Sequence, residues 1–231
     1  MLKSDFGIGV YSVPEAARMI GMGNQTLRRW LIGYNHAAAN GKHTHLALWR
    51  LQHEPQDEEV FLGFRDLIEA RIVNALRQSG ISLQAIRECL DVARQIINDA
   101  HPFSTRHFKT DGKGLFLEIA EKAHDPHLID LKRRQHVFRT VVAPSLRGLE
   151  FGNEAAERWW LLDGKKTVVA DPTRSFGQPI IASSGLTTRR IREAVEAEGS
   201  IERAAKVYEI RSSEVRDALA YEQAASSMTL H

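Results

Sequence analysis

One spacing of three residues occurs twice in this chain: a small residue, a turn position four residues on, and an apolar residue six further. Ala17, Gly21 and Leu27 make the first set, and Ala205, Glu209 and Val215 the second. It is the spacing of a helix-turn-helix, in which the small residue lets two helices touch and the apolar one anchors the second helix. Flanking periodicity supports the first set. Val13, Ala16, Ala17 and Ile20 fall at i, i+3, i+4 and i+7, one face of a short helix. Ser12 and Glu15 form a capping box at its start, and Gly21 can take the left-handed turn that ends it. A second helix is expected from about Asn24, with Leu27, Trp30 and Leu31 inward and Gly33 closing it. Gln25, Arg28, Arg29 and Ile32 are then left on the opposite face, free to enter a DNA major groove.

Charge points the same way. The 231 residues carry 31 Lys+Arg against 29 Asp+Glu, so bulk charge is uninformative. Between Ala16 and His53, however, there is no carboxylate, while Arg18, Arg28, Arg29, Lys42 and Arg50 give +5 alongside His36, His43, His45 and His53. That is an electrostatic footprint for a polyanion. The C-terminal set differs. From Thr187 to Glu222, seven bases meet eight acids, and the presumptive recognition helix carries Glu214 and Asp217. This balance suits a protein partner better than a phosphate backbone.

Between the two units the expected organisation is α+β. A polar loop at 35–45 and strand-like runs at 45–50 and 59–62 suggest a β-hairpin wing. Helices follow at about 63–78 and 82–98, the second with an apolar seam of Leu83, Ile86, Leu90, Ala93 and Ile97 that could join two copies. Three hairpins are then expected: 106–109 with 115–119, 128–131 with 136–139 around Lys132-Arg-Arg134, and 159–162 with 167–170 around Asp163-Gly164. In the last, Trp159 and Trp160 should split between strand faces. C-terminal helices are expected at 187–198, 200–208 and 212–223. The domains expected are 1–100 (winged helix-turn-helix), 101–170 (β-rich) and 171–231 (trihelical, helix-turn-helix-like).

Two stretches resemble known families. Tyr11-Ser-Val-Pro-Glu-Ala-Ala-Arg-Met-Ile-Gly21, Asn24-Gln-Thr-Leu-Arg-Arg-Trp30, Phe64-Arg-Asp-Leu67 and Ile72-Val-Asn-Ala-Leu-Arg-Gln-Ser-Gly-Ile-Ser-Leu-Gln-Ala-Ile-Arg-Glu88 resemble the winged helix of MerR-family transcription regulators. The resemblance implies that Thr26, Arg28 and Trp30 sit on or beside the DNA-contacting helix, with 42–49 near a wing. No long dimerisation coiled coil follows Asn98, a departure from that family. Ala170-Asp-Pro172, Phe176-Gly-Gln-Pro-Ile-Ile181, Leu186-Thr-Thr-Arg189, Glu196-Ala-Glu-Gly-Ser-Ile-Glu-Arg-Ala-Ala205 and Val215-Arg-Asp-Ala-Leu-Ala-Tyr-Glu222 resemble an antitoxin-like domain family found beside PIN-like ribonuclease toxins. Together the parts resemble long VapB-type antitoxins.

Other chemistry is weakly signalled. GxGxxG, GxxxxGK[ST], HExxH, GxSxG and CxxC are absent, and Cys89, the only cysteine, excludes an intrachain disulfide. His43-x-His45 and His124-Asp-Pro-His127 with Asp130 lack the spacing of a defined metal site. No catalytic residue, metal or cofactor is therefore expected. No apolar run reaches the ~18 residues of a membrane span, and a soluble cytoplasmic protein is expected. The expected DNA contacts are Asn24, Gln25, Thr26, Arg28, Arg29, Trp30, Lys42, His43 and His45. The expected contacts to a PIN-like toxin are Arg189, Arg190, Arg211 and Arg216. The function these imply is that of a homodimeric antitoxin that binds a double-stranded DNA operator and represses its own transcription. The alternative is a MerR-like regulator that answers to a small ligand.

Overall fold

Both repeated spacings fold as helix-turn-helix units in the computed structural model, which describes residues 7–38, 41–55, 59–122, 128 and 131–227, with backbone alone for 35–44. Strand β1 (Tyr11–Ser12) leads into α1 (Val13–Ile20), where the Glu15 N–H donates to the Ser12 hydroxyl and the Ser12 N–H to the Glu15 carboxylate. Gly21 is left-handed at φ 68°, Met22 N–H donates to the Ala17 carbonyl at 3.0 Å, and α2 (Asn24–Ile32) follows. In the second unit, α9 (Ile201–Val207) ends at Glu209 with φ 53°. There Ile210 N–H donates to the Ala205 carbonyl at the same 3.0 Å, before α10 (Ser212–Ser227). Ala17, Leu27, Ala205 and Val215 are all buried. One hydrogen-bond pattern thus makes both turns, though the second uses a glutamate where glycine would be unstrained.

A β-hairpin follows α2, displaced from the strands expected for a wing. Its strands are β2 (Tyr34–Ala38) and β3 (Gly41–His45), antiparallel with Tyr34 opposite His45, and both come from the stretch expected to be loop. The runs expected as strands do other work. Leu48, Trp49 and Leu51 are core residues in irregular chain, and β4 (Phe61–Leu62) pairs with β1. Apolar side chains at Leu48, Trp49 and Leu51 reflect anchoring to the core, not a pleat. The Asn40-Gly41 dipeptide was the better hairpin signal.

Helices α3 (Phe64–Gln78) and α4 (Leu83–Ile97) match expectation, and Cys89 is a buried thiol. The seam on α4 is spent inside the chain: Ile86, Leu90 and Ala93 are in the core, with Leu83 and Ile97 packed against it. It cannot be the joint between two copies.

The first part of the middle region is helical, which overturns two of the three hairpins. Residues 106–121 form α5 (Arg106–Glu121), capped by the Thr105 hydroxyl accepting from Phe108 N–H at 3.1 Å. Phe108, Gly112, Leu115, Phe116 and Ile119 make its buried face, a helical stripe that overrides the turn chemistry of Asp111-Gly-Lys-Gly114. Gly112 lies where an added Cβ would reach 3.7 Å from the Phe138 ring, so the helices pack closely here. Residues 131–145 run as α6 (Leu131–Val137), a π-helical turn at Phe138–Val142 and the short α7 (Ala143–Ser145). Arg134, expected at a hairpin tip, is buried in α6 and pairs with Glu121 at 3.5 Å.

The third hairpin is correct. Strands β5 (Leu149–Phe151), β6 (Ala156–Leu162), β7 (Lys165–Ala170) and β8 (Pro179–Ile181) form one antiparallel sheet in that order. Trp159 is buried and Trp160 half-buried, as strand alternation requires. The sheet joins two cores. Leu149, Trp159 and Ala170 belong to the large N-terminal one, while Val168 and Ile181 pack with Ile191, Val215, Ala218 and Tyr221 of α8 (Thr188–Glu198) and α10. The α+β class holds, with its β part concentrated in the wing and at 149–181.

Two carboxylates are sunk in α3. Asp66 accepts from Trp49 Nε1 and the N–H groups of Gln52 and Gly63, and hydrogen-bonds His101 Nε2 at 2.7 Å. Glu69 has one oxygen on the Ser104 N–H and the other without a partner. Burial pushes the Glu69 carboxyl up to about 8, so it is held mainly protonated at neutral pH. A raised native pKa stabilises below the unfolded value and is lost as pH rises through the folded one. Thermal denaturation should therefore show Tm falling between pH 5 and pH 9 in the wild type. In Glu69→Gln that fall should be smaller by several degrees.

Candidate nucleic-acid interface

The solvent face of α2 begins at its N-terminus. Asn24, Gln25 and Thr26 are exposed there, as are Arg28 and Arg29 one turn on, and no carboxylate lies on the helix. A helix N-terminus presents unsatisfied N–H groups and positive dipole, which suits entry toward phosphates. Arg29 lies over the Tyr34 ring at 5.3 Å, and Tyr34 stacks on His45 with centroids 4.6 Å apart. The two aromatics therefore couple the helix to the base of the wing. Trp30 lies inward, as the periodicity requires and against its place among the expected DNA contacts. It is only 6% exposed and packs in the core, so its role is to seat α2, and it is corrected from DNA contact to anchor. Lys42 and His43 lie on β3, their side chains outside the described residues, as are His124, His127 and Asp130.

The wing is held from below. Gly33, at φ 73°, sits where a Cβ would fall 2.3 Å from the His45 carbonyl oxygen, so only glycine lets the chain turn so tightly into β2. Leu48 N–H donates to the Trp30 carbonyl at 2.8 Å. From α4, Arg87 donates to the carbonyls of Leu46 and Ala47 at 2.8 and 2.9 Å, and Arg94 to that of Leu48. Sequence reasoning missed these two arginines as wing supports, because their targets are backbone atoms about 40 residues away.

The acid-free stretch is partly neutralised from elsewhere. Arg50 pairs with Glu54 at 2.7 Å, and Arg18 pairs at 3.0 Å with Glu222, on α10 at the far end of the sequence. Arg18 therefore leaves the polyanion footprint and becomes a tie between the two units. Glu222, 3% exposed, also lies 3.6 Å from Arg192 and accepts from the Thr188 hydroxyl at 2.5 Å. Nearby, the Tyr11 hydroxyl donates to the Gly177 carbonyl and Val10 N–H to that of Phe176, both at 2.9 Å. The two units are thus joined by a half-buried ion pair and by hydrogen bonds to the backbone at 176–177.

The C-terminal candidates are individually satisfied. Arg189 pairs with Glu193 at 3.1 Å, Arg190 donates to the Tyr208 hydroxyl at 2.9 Å, Arg211 pairs with Glu214 at 3.0 Å, and Arg216 approaches Glu202 at 3.5 Å. They do not converge on one site. Hydrogen bonding from Arg211 holds the Glu214 carboxyl down at about 2. Helix α10, the counterpart of α2, is packed against α1, α8, α9 and the sheet, and its Glu214, Val215, Ala218, Tyr221, Glu222 and Ala225 are buried.

Both ends of the chain are similar to known families. Residues 9–90 match the family described as "Putative DNA-binding HTH domain". The N-terminal unit is a helix-turn-helix domain. Residues 168–221 match "Protein of unknown function (DUF433)", which spans β7 to α10. The chain is 27% identical over 230 residues to "Putative antitoxin VapB45" of Mycobacterium tuberculosis (strain ATCC 25618 / H37Rv), covering 94% of this chain and 95% of that one. It also shares its fold with the crystal structure of Rv2018 from Mycobacterium tuberculosis, at TM-score 0.69 and 24% identity, over 93% of this chain and 99% of the other. Among the described residues no helix is long and apolar enough to cross a membrane.

The tie between the units is testable by a double-mutant cycle. Glu222→Ala should cost about 2–3 kcal/mol in urea denaturation, since it strands Arg18 and the Thr188 hydroxyl and leaves Arg192 with Glu196 alone. Arg18→Ala should cost less, and the two should couple by about 1 kcal/mol or more.

Proposed function

We propose that the chain is a DNA-binding antitoxin that represses its own operator as a homodimer and neutralises a PIN-like ribonuclease toxin. The carrying observation is the exposed, carboxylate-free N-terminal face of α2 beside a braced hairpin, in a chain similar from end to end to a protein named as an antitoxin. On this reading Asn24, Gln25 and Thr26 meet phosphates and base edges, and Arg28 and Arg29 supply the charge-assisted contacts. The hairpin adds Lys42, His43 and His45, in a MerR-like arrangement. A single helix-turn-helix reads only a few base pairs, so two copies related by a twofold axis fit the need for specificity.

The C-terminal unit is assigned to the toxin because its charge is balanced and its second helix is packed away. PIN-like nucleases gather carboxylates around divalent metal, and an arginine released from a surface pair can neutralise such a cluster. Arg189 and Arg216 fit this best, because each is exposed and held by an exposed glutamate, a pairing worth little. Arg211 fits less well, since it holds the buried Glu214.

The test is mobility shift on DNA upstream of the chain's own gene. Arg28→Ala/Arg29→Ala should weaken binding by about tenfold or more and reduce the slope of log K against log salt by about 1–2. The fold should stay intact, because both side chains are exposed. Unchanged affinity and slope would remove α2 from DNA recognition. In co-expression with the adjacent gene product, Arg189→Glu/Arg216→Glu should reduce rescue of growth while leaving the mobility shift in place.

A further inference from the structure

A cleft of about 520 Å³ opens between α3, the turn after α7 and the β6–β7 hairpin, on the sheet and away from the DNA-reading helix. Its defining side chain is Arg71, which sits in α3 over the Trp159 ring, 4.4 Å from guanidinium carbon to ring centroid. Its Nη2 donates to the Arg147 carbonyl at 3.2 Å, but its buried Nη1 has no acceptor. Among the described residues no carboxylate pairs with it. Arg71 is half-buried and carries no counter-charge of its own, which leaves its guanidinium able to take one from a bound anion.

The rest of the lining says what that would be. Arg147, Lys165 and Lys166 line the same cleft, with Asp163 its single acid. Lys165 is bound to Asp217 and Lys166 to Glu150, both at 2.6 Å, whereas Arg147 has no ion pair among the described residues. Two uncompensated guanidiniums therefore face one cavity, walled on the apolar side by Trp159, Leu161 and Pro144. A volume of this order suits a small molecule, and guanidinium groups match oxyanions in fork geometry.

We propose that this cleft is a binding site for a small organic oxyanion, a carboxylate or a phosphate ester, whose charged group is met by the guanidinium groups of Arg71 and Arg147. The site is independent of the antitoxin reading, because none of its residues belongs to the DNA or toxin surfaces assigned above. Burial has already lowered the Arg71 pKa to about 10, as expected for a cation that lacks its counter-ion.

Calorimetric titration of the full-length protein with citrate and with inorganic phosphate, at ionic strength fixed by sodium chloride, tests it. Saturable binding at one site per chain is expected, weakened about tenfold or more in Arg71→Gln and severalfold in Arg147→Gln. Tighter citrate binding identifies a carboxylate ligand, and tighter phosphate binding a phosphorylated one. Arg147 is exposed, so Arg147→Gln folds and decides the matter if Arg71→Gln does not. Heats that fail to saturate, or that are identical in wild type and Arg147→Gln, overturn the proposal.

Discussion

A buried carboxylate, Glu222, ties the two halves of this chain together. It accepts from Thr188, which opens α8, and pairs with Arg18 on α1 and Arg192 on α8. Removing a carboxylate from water is costly unless its lone pairs are filled, and here α1 and α8 must both be in place beside α10 to fill them. Because α1 packs directly on α2, the orientation of the DNA-reading helix depends on a contact made 204 residues away.

The same logic of buried polar groups with fixed partners recurs around the wing. Asp66 gathers the loop at 49–52 and His101 onto the start of α3, and Arg87 and Arg94 hold the carbonyls of 46–48. A hairpin on so short a connection would otherwise be free to swing. Bracing from α3 and α4 fixes its root beside α2, so that hairpin and helix form one rigid surface.

How much of this was legible in the sequence follows from how local each signal is. Both helix-turn-helix units could be read because spacing, capping and the turn residue act within about a dozen positions, and even Glu209 does the work of Gly21 at a non-glycine position. The hairpins expected at 106–119 and 128–139 failed because Asp-Gly and charged pairs look like turns, whereas the buried stripe from Phe108 to Ile119 has the helical period. Periodicity put Trp30 on the inward face, while the resemblance, which places the helix but not the face of each side chain, put it among the contacts; the periodicity was right. Arg18 looked like part of a phosphate footprint because Glu222 is distant in sequence. Arg71 drew no attention at all, since nothing along the chain reveals that a cation has lost its counter-charge.

The central claim is that the C-terminal unit holds the DNA-reading unit through Glu222, and native-state hydrogen exchange tests it most directly. In the wild type, amides of α1 and α10 should open with the same free energy and the same dependence on denaturant. In Glu222→Ala both should lose protection together, with α1 affected although the substitution lies on α10. Faster exchange confined to α8–α10, with α1 unchanged, would contradict the account.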